Sequence, residues 1–497
     1  MKKDYDDGDL KDIIRYSEQL KGKSFLQVLE QEIPTQEELQ QVIYKENSSR
    51  NKGELGVLLE KYFYGYEPNS RQEADFPKVG LELKVTPYEK LQKQHNGNDY
   101  RAGERLVITK ISYAKQSTTE FDLSDLSKKI SKMLVVWYLR DRDKKRLNYC
   151  INYVYYYDLF SQILATDLAV IREDFQIIIK KIIAGLAHEL SESDTRYLGA
   201  CTKGSTAEKS LQTQYYNPEI KAKGRAFCLK QSYMTYVLNQ YVMNEGEKLE
   251  SIFSEGSFSK GSFDDEVLAK INVFMGMSEQ GLYKRFDLET HPAKQKNKML
   301  VNRMLGINTD AAEFRKANIL VKTIRVKHDG NPCEAMSFAN VQLSEFAKRR
   351  NGFEESTVYQ FFEETRFLFV IFRQKEKGGD YILSDAMFWS MPFEDLNITL
   401  RKEWRKYVNV IAEGVVFEVQ KLKNGKNRIL NNLPGESELE VFHLRPKAQH
   451  AAYLINNVKY GRGKDKDMDR LPNGDKMTRQ CFWLNKSYIK KIISRKS

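Results

Sequence analysis

The sequence has few of the residues that build disulfide frameworks, zinc sites or membrane spans. Its five cysteines are scattered and form no CxxC pair, which argues against a zinc ribbon and predicts reduced thiols in a cytoplasmic protein. The six histidines form no HExxH motif, and no P-loop is present, so neither zinc-dependent hydrolysis nor ATP-driven chemistry is expected. No apolar run approaches the ~20 residues of a membrane span, and the N-terminus MKKDYDDGDLKD is too acidic for a signal peptide. We therefore expect neither export nor membrane insertion.

What the chain does have is length, aromatic residues and positive charge. Its 497 residues, 41% apolar and 12% aromatic, suffice for roughly two to four domains. The 80 Lys and Arg exceed the 68 Asp and Glu, which gives a formal charge of +12. Such an excess attracts polyanions, so nucleic acid is the first partner to consider. Ordinary surface charge explains the same excess equally well when charge alone is considered.

The chain contains an internal repeat, and its halves meet at a polar connection. Periodicity is lost in EGEKLESIFSEGSFSKGSFDDE, residues 245–266, which is typical of a linker. We predict an N-terminal domain at 1–250, a linker at 251–265 and a C-terminal domain at 266–497. Four segments recur in order: DFPKVGLELK with EFRKANILVK, LLEKYFYG with LVNRMLG, REDF with RKEW, and FCLKQSYM with FWLNKSYI. This order predicts a tandem duplication of one α/β domain.

One recurring segment carries charges that a structural strand would not need. In VGLELKVT, apolar and polar residues alternate, so Glu82 and Lys84 lie on one face of a predicted strand, with Cα atoms roughly 7 Å apart. Asp75 precedes this strand, and Glu60 lies on the preceding predicted helix. Such carboxylates suit Mg²⁺, which prefers oxygen ligands and activates a water for phosphodiester hydrolysis. The alternative is the solvated face of an amphipathic strand.

The second copy of the repeat helps to decide between these two explanations. The aligned pairs are Glu60 with Val301, Asp75 with Glu313, Glu82 with Leu320, and Lys84 with Lys322. An apolar residue replaces Glu82 in a copy that keeps the strand pattern, so the fold does not require that carboxylate. The contrast predicts one active half and one binding half that is catalytically degenerate.

The run KGELGVLLEKYFYGYEPNSRQEADFPKVGLELKVTP, residues 52–87, resembles the active-site region of the MutH mismatch-repair endonuclease. It is equally similar to the two-domain, GATC-cutting type II restriction endonucleases of the Sau type, within the PD-(D/E)xK superfamily. The order LLE, DF and GxELK is typical of this group, and HLRPKA and FWLNKSYIKKI resemble later MutH elements. The resemblance implies a mixed α+β fold, with a central mixed sheet flanked by helices, present in two copies of which the second lacks the active site.

The resemblance also implies a catalytic set. It consists of Asp75 and Glu82 as metal-binding acids, Lys84 as the catalytic lysine and Glu60 as the helix glutamate. The second lysine of the family falls on Lys129 in KKISKMLVVW, with Lys128 and Lys132 as alternatives. An ordinary solvated basic helix end is the competing explanation for this stretch.

Residues that contact GATC follow from the same resemblance. The RPK motif falls on Arg445 and Lys447 in the second half, and its lysine corresponds less cleanly to Lys203 in the first. An aromatic of the family's FYL motif falls on Trp483 and, in the first half, on Cys228. Lysine side chains in the major groove can donate to guanine acceptors. Because Cys228 is smaller than an aromatic residue, we predict that cleavage tolerates N6-methyladenine in GATC.

The predicted function is that of a type II restriction endonuclease that hydrolyses double-stranded DNA at 5′-GATC-3′ with Mg²⁺ and leaves 5′-phosphate ends. We expect the C-terminal half to bind a second GATC as an effector, and a monomer in solution to pair into a dimer on DNA. A cognate DNA methyltransferase would act on the same site. The alternatives are a MutH-like mismatch-repair nickase and a GATC-binding regulatory protein that does not cleave.

Overall fold

The chain folds into two compact units. The computed structural model describes residues 3–48, 54–67, 73–95, 98–202, 210–245, 249–253, 261–348, 352–423 and 427–494. The N-terminal unit comprises Met1–Glu266 and Ile307–Ile319, and the C-terminal unit comprises Val267–Gly306 and Leu320–Ser497. This division differs from the sequential one that we predicted, because Ile307–Ile319 packs with the N-terminal unit.

The N-terminal unit combines one long helix and several shorter ones with two main sheets. Its helices are α1 (Leu10–Ser17), α2 (Phe25–Glu32), α3 (Gln36–Ser48), α4 (Glu54–Leu58), α5 (Asp125–Ile130), α6 (Ala165–Ile183) and α7 (Gln231–Val237). Its strands are β1 (Glu82–His95), β2 (Asn98–Ala102), β3 (Leu106–Lys110), β4 (Lys132–Leu139), β5 (Cys150–Asp158), β6 (Leu198–Thr202), β7 (Leu211–Gln212), β8 (Ala222–Lys223) and β9 (Arg225–Leu229). A π-helix, Leu59–Tyr64, continues α4.

The central sheet of this unit has the strand order β2-β1-β4-β5. Strand β1 runs parallel to β4, and β4 runs antiparallel to β5, so the sheet is mixed. Strand β4 carries the apolar run MLVVW, and these five residues are at most 1% exposed, as expected for a strand that is covered on both faces. Strand β1 begins at Glu82, three residues later than VGLELKVT predicts, because Gly80 lies in a turn with a φ of +63°.

The C-terminal unit has a second set of helices and strands. Helix α8 (Phe263–Asn272) begins in the N-terminal unit and α11 (Ala312–Ala317) belongs to it. The other helices are α9 (Glu279–Arg285), α10 (Ala293–Met304), α12 (Leu343–Lys348), α13 (Thr357–Glu364), α14 (Leu400–Glu413) and α15 (Lys486–Ser494). The strands are β10 (Ile319–Val326), β11 (Met336–Asn340), β12 (Arg366–Gln374), β13 (Tyr381–Trp389), β14 (Phe417–Lys421), β15 (Asn427–Asn431), β16 (Phe442–Pro446), β17 (Ala452–Ile455), β18 (Val458–Gly461), β19 (Met468–Arg470), β20 (Lys476–Thr478) and β21 (Gln480–Leu484).

The two units have matching sheet orders. The N-terminal order β3-β9-β6 has the counterpart β11-β21-β16, and the series β1-β4-β5 has the counterpart β10-β12-β13. The C-terminal unit adds the hairpin β14-β15 and a four-stranded sheet of order β18-β17-β20-β19. The described residues thus form a mixed α+β structure, which confirms the predicted fold class.

Two buried acids recur at matching positions of the long helices. Asp174 on α6 accepts hydrogen bonds from the backbone N–H groups of residues 196–198, at 2.9, 2.7 and 3.0 Å. Glu403 on α14 accepts from the backbone N–H groups of residues 440–442. Each acid satisfies backbone donors at the start of a buried strand, which would otherwise lose their hydrogen bonds to water. The recurrence extends from the REDF and RKEW segments to their tertiary contacts.

A tyrosine and an aspartate form a second recurring contact. Tyr233, from FCLKQSYM, donates its hydroxyl to Asp167 at 3.0 Å. Tyr488, from FWLNKSYI, donates to Asp395 at 2.9 Å. Both pairs are buried, so each stabilises its own unit by satisfying two polar groups at once.

Candidate active site

A tight turn brings Asp75 to the start of β1. Phe76 and Leu81 form two backbone hydrogen bonds of 2.9 and 3.2 Å. Gly80 lies inside this turn with a φ of +63°, which glycine adopts without the steric cost of a Cβ. The turn places Asp75 opposite Leu83, whose backbone N–H donates to Asp75 Oδ2 at 2.9 Å. The strand that follows therefore orients this carboxylate.

Glu82 is a buried carboxylate with two lysine partners. It is 2% exposed, and Lys84 Nζ donates to its Oε1 at 2.7 Å. Lys129 Nζ, in the last turn of α5, donates to Oε1 and Oε2 at 3.2 and 3.3 Å. Lys128 lies on the exposed side of α5 and donates to Asp125 at 3.0 Å. The structure therefore brings Lys129, and not Lys128, to the acids.

Glu60 adds a third carboxylate to this cluster from the π-helix Leu59–Tyr64. Burial, followed by the charge of Asp75, raises the pKa of Glu60 to about 7, and Lys84 works against this shift. Burial and the charge of Glu82 also raise the pKa of Asp75. Negative charge that is this poorly compensated in a buried place favours the binding of a further cation.

The chemistry of these donors fits a hard divalent cation. Mg²⁺ is commonly held by one or two carboxylates, together with waters and substrate oxygens. Asp75 and Glu82, with the backbone carbonyl of Leu83, would supply such a set. Across the residues that the structure describes, no group of three or more His, Cys, Asp or Glu is arranged as a metal site.

The corresponding region of the C-terminal half has lost this charge. Asn318 has a φ of +52° at the position aligned with Gly80, so the left-handed residue before the strand is retained. Ser124 is the N-cap of α5 and Ser356 is the N-cap of α13, and each serine accepts a hydrogen bond from a backbone N–H of its helix. Alignment of the two helices from these N-caps places Phe361 at the position of Lys129. The replacements are Val301 for Glu60, Leu320 for Glu82 and Phe361 for Lys129.

The charged residues that remain in this copy have other partners. Lys322 lies 5.0 Å from the centroid of the Phe338 ring, and burial, followed by the charge of Lys447, lowers its pKa. Glu313 accepts hydrogen bonds from residues 251–252 within the N-terminal unit. Among the residues that the structure describes, Lys322 has no carboxylate partner to match the Lys84 contact with Glu82, and Glu313 has no hydrogen bond or ion pair with an acid or lysine of a second cluster.

Three residues predicted to contact DNA lie together in the C-terminal unit. Arg445 stacks its guanidinium 4.8 Å from the Trp483 ring centroid, and Trp483 Nε1 donates to the Arg445 carbonyl at 3.0 Å. Lys447 is exposed two residues further along the chain. An arginine held on an aromatic face next to an exposed lysine suits contact with bases and phosphates.

The structure describes one of the two DNA contacts predicted in the N-terminal half. Lys203 lies outside the described residues. Cys228 is fully buried, and its thiol donates to the Gly199 carbonyl at 3.6 Å. Burial raises the pKa of this thiol well above its usual value. The side chain therefore has no surface with which to contact a base, which corrects the prediction that Cys228 reaches DNA.

Sequence reasoning missed one polar group beside the acids, the hydroxyl of Tyr66. Burial, followed by the charges of Asp75 and Glu60, raises its pKa. Tyr66 stands in the aromatic run YFYGY, which by itself indicates only a packed core.

Acids and lysines that meet at the start of a strand of a mixed sheet are typical of a MutH-like nuclease. The family described as "DNA mismatch repair enzyme MutH" matches residues 64–174 of the chain. The type II restriction enzyme Sau3AI of Staphylococcus aureus is 32% identical over 469 residues, which cover 90% of this chain and 94% of that protein. The chain therefore belongs to the MutH and Sau3AI family and is a type II restriction endonuclease. This confirms the resemblance drawn from the sequence.

None of the described helices is both long and apolar enough to cross a membrane.

Proposed function

We propose that the N-terminal unit hydrolyses double-stranded DNA at 5′-GATC-3′ with Mg²⁺ as cofactor and leaves 5′-phosphate ends on both strands. The observation that carries this proposal is the buried Glu82 carboxylate with its two lysines, 2.7 and 3.2 Å away. In the C-terminal half, the positions aligned with Glu60, Glu82 and Lys129 are apolar. The acid aligned with Asp75 bonds to residues 251–252 instead, and Lys322 is the charged residue that remains at an aligned position. Charged residues that the fold does not require, and that are present in only one of the two copies, indicate a catalytic role in that copy.

Each residue has a distinct task in this proposal. Asp75 and Glu82 hold the cation, and the Leu83 N–H keeps Asp75 turned toward it. Lys129 keeps Glu82 oriented, because its ammonium donates to both carboxylate oxygens. Lys84 is 18% exposed, so its ammonium can reach a phosphate and stabilise the charge that develops there.

Mg²⁺ bound there supplies charge neutralisation and a more acidic water. Glu60 is suited to hold the proton of the attacking water, because a group with a pKa of about 7 exchanges protons readily at neutral pH. Its position on a different element from Asp75 and Glu82 leaves it free to act as base while they hold the ion.

The C-terminal unit, in the same proposal, binds a second GATC and does not cut it. Arg445, Lys447 and Trp483 provide the contacts, and Lys322 adds positive charge nearby. The chain is then a monomer that pairs into a dimer on DNA, since a double-strand break takes two scissions and each chain has one complete site. Its place is the cytoplasm, alongside a cognate methyltransferase that modifies the same sequence.

Cleavage of short duplexes tests the proposal directly. The protein is incubated with one duplex that contains GATC and with a matched duplex in which the sequence is scrambled, each with Mg²⁺ and with EDTA. We expect both strands of the GATC duplex to be cut in Mg²⁺ alone. Cutting of one strand only would favour the mismatch-repair nickase, and binding without cutting would favour a regulatory protein.

Effector binding has its own test. The cleavage rate is compared on plasmids with one and with two GATC sites, for the wild-type protein and for Lys447→Ala. We expect the two-site plasmid to be cut faster by the wild type, and the advantage to be lost in the variant. Equal rates on both plasmids would contradict an effector site.

A further inference from the structure

Tyr66 is held firmly beside the acids. It follows Gly65, whose φ of +78° ends the π-helix, and its backbone N–H donates to the Glu60 carbonyl at 3.1 Å. Its ring contacts Phe76 edge to face, with centroids 5.5 Å apart, and lies 6.3 Å from that of Tyr64. These contacts restrict the orientation of the ring that carries the hydroxyl.

The hydroxyl of Tyr66 is buried and has no hydrogen-bond partner within the part of the chain that the structure describes. The other tyrosines of this aromatic cluster are paired. Tyr5 donates to the Tyr64 carbonyl at 3.0 Å, Tyr16 donates to the Phe63 carbonyl at 3.1 Å, and Tyr64 shares a hydrogen bond of 2.7 Å with Ser17. Buried hydroxyl groups are rarely left without a partner, and a phenylalanine would fill the same space at lower cost. An unsatisfied donor here calls for an acceptor that comes within hydrogen-bond distance when the site is occupied.

The acceptor is indicated by the neighbours of the hydroxyl. Tyr66 contacts the ring of Phe76, the residue that follows Asp75, and its backbone N–H donates to the Glu60 carbonyl. Both carboxylates therefore lie close enough for their charges to act on the hydroxyl. Asp75 Oδ2 accepts the Leu83 N–H, whereas Oδ1 accepts no hydrogen bond from a described residue. A carboxylate oxygen can accept from more than one donor, so a phenol can hold Asp75 without adding charge to the site.

The C-terminal half supports a functional reason for the hydroxyl. Gly306, aligned with Gly65, also has a positive φ, of +82°, and the residue that follows it is Ile307, 3% exposed. The position after the glycine is therefore a packing position that an aliphatic side chain satisfies. The hydroxyl is absent from the copy that also lacks the counterparts of Glu60 and Glu82.

We propose that Tyr66 is a positioning residue for the cleavage reaction: its hydroxyl donates to the Asp75 carboxylate when the divalent cation is bound, and so fixes the ligand geometry. This inference rests on the proposed role of Asp75 in holding the cation. A residue that orients a metal ligand in this way affects both ion affinity and turnover, typically by ~10-fold or more.

The test is Tyr66→Phe, which removes the hydroxyl and keeps the ring. We expect the single-turnover rate on a GATC duplex to fall ~10-fold, and the Kd for Mn²⁺, measured by calorimetry on the protein without DNA, to rise by a similar factor. The melting temperature should stay the same or rise, because an unsatisfied buried donor is removed.

Tyr64→Phe is the matched control. It lies in the same aromatic cluster, but its hydroxyl bonds to Ser17. We expect a lower melting temperature with an unchanged rate and unchanged Mn²⁺ affinity, the opposite result from that for Tyr66→Phe.

The proposal is overturned if Tyr66→Phe keeps both its rate and its Mn²⁺ affinity within about twofold of the wild type, a margin well below the expected second-shell effect. It is also overturned if the rate falls while Mn²⁺ affinity is unchanged, or if the melting temperature falls as in the control. Failure of the proposed function would look different, because the wild-type protein would then leave the GATC duplex intact whatever the Mn²⁺ titration shows.

Discussion

Replacement of Glu82 by glutamine separates the catalytic role of this carboxylate from its structural role. Glu82→Gln preserves shape but removes the negative charge that two ammonium groups approach, at 2.7 Å for Lys84 and 3.2 Å for Lys129. The amide oxygen can still accept from one lysine, whereas the amide nitrogen presents a donor where the other lysine needs an acceptor.

The expected loss of stability is small because two effects oppose each other. Weakening charge-assisted hydrogen bonds costs about 1.5–3 kcal/mol for each bond lost. Removing the charge of Glu82 also relieves its repulsion of Asp75 and Glu60, whose pKa values it helps to raise. We therefore expect a net decrease of about 1–2 kcal/mol in the free energy of unfolding, and a lower pKa for Glu60.

The expected catalytic loss is much larger. A preorganised charge that acts on the transition state contributes roughly 3–4 kcal/mol, which corresponds to a decrease of roughly 10²- to 10³-fold in the cleavage rate. The rate is measured in single turnover on a GATC duplex, DNA affinity by fluorescence anisotropy, and stability by urea unfolding. DNA affinity without a divalent ion should be retained, since the fold is intact.

Glu89→Gln provides a control on the same strand. Glu89 is 7% exposed and pairs with Arg101 and Arg140 at 2.9 and 2.7 Å, so it resembles Glu82 in burial and charge but lies beyond the acid cluster. We expect this variant to lose stability and to keep its cleavage rate. The assignment of Glu82 is refuted if Glu82→Gln cuts within about tenfold of the wild type, far short of the loss expected of a preorganised charge, or if both variants lose activity in proportion to their stability.

Three further predictions follow from the structure. Glu60→Gln should raise the free energy of unfolding at pH 8 in EDTA by about 1–2 kcal/mol and flatten its dependence on pH, as measured by urea unfolding. The carboxyl of Glu60, whose pKa rises from 4.5 to about 7 on folding, binds its proton more tightly in the folded state, so the stability of the wild type falls as the pH rises through that interval. Partial exposure of Glu60 limits the size of this effect. Asp174→Asn should lower the free energy of unfolding by about 3 kcal/mol, because a buried acceptor of three backbone N–H groups loses its charge. A loss below about 1 kcal/mol, the usual size of one hydrogen bond, would contradict the stabilising role of Asp174. Plasmid DNA with and without N6-methyladenine in GATC should be cut at equal rates, because the buried Cys228 presents no ring to the methyl group; full protection by the methyl group would refute this.

The repeat could be predicted from the sequence because the features that define it are local. Gly65 and Gly306 end helices, and Gly80 and Asn318 take left-handed conformations before a strand, so these positions tolerate few other residues. The domain division was less accessible. Ile307–Ile319 packs with the N-terminal unit, and no feature of composition marks a segment that leaves its own half.

The sequence by itself determined the family, the mixed α+β class and the candidate acids, since spacing along a strand and contrast with an aligned copy are linear properties. Tertiary structure decided which lysine of KKISK faces Glu82, that Cys228 is buried, and that the Tyr66 hydroxyl lies beside the acids. Those outcomes depend on how α5 and the aromatic cluster pack against β1. Packing direction comes from contacts between residues that are distant in the chain, and a periodic pattern does not specify them.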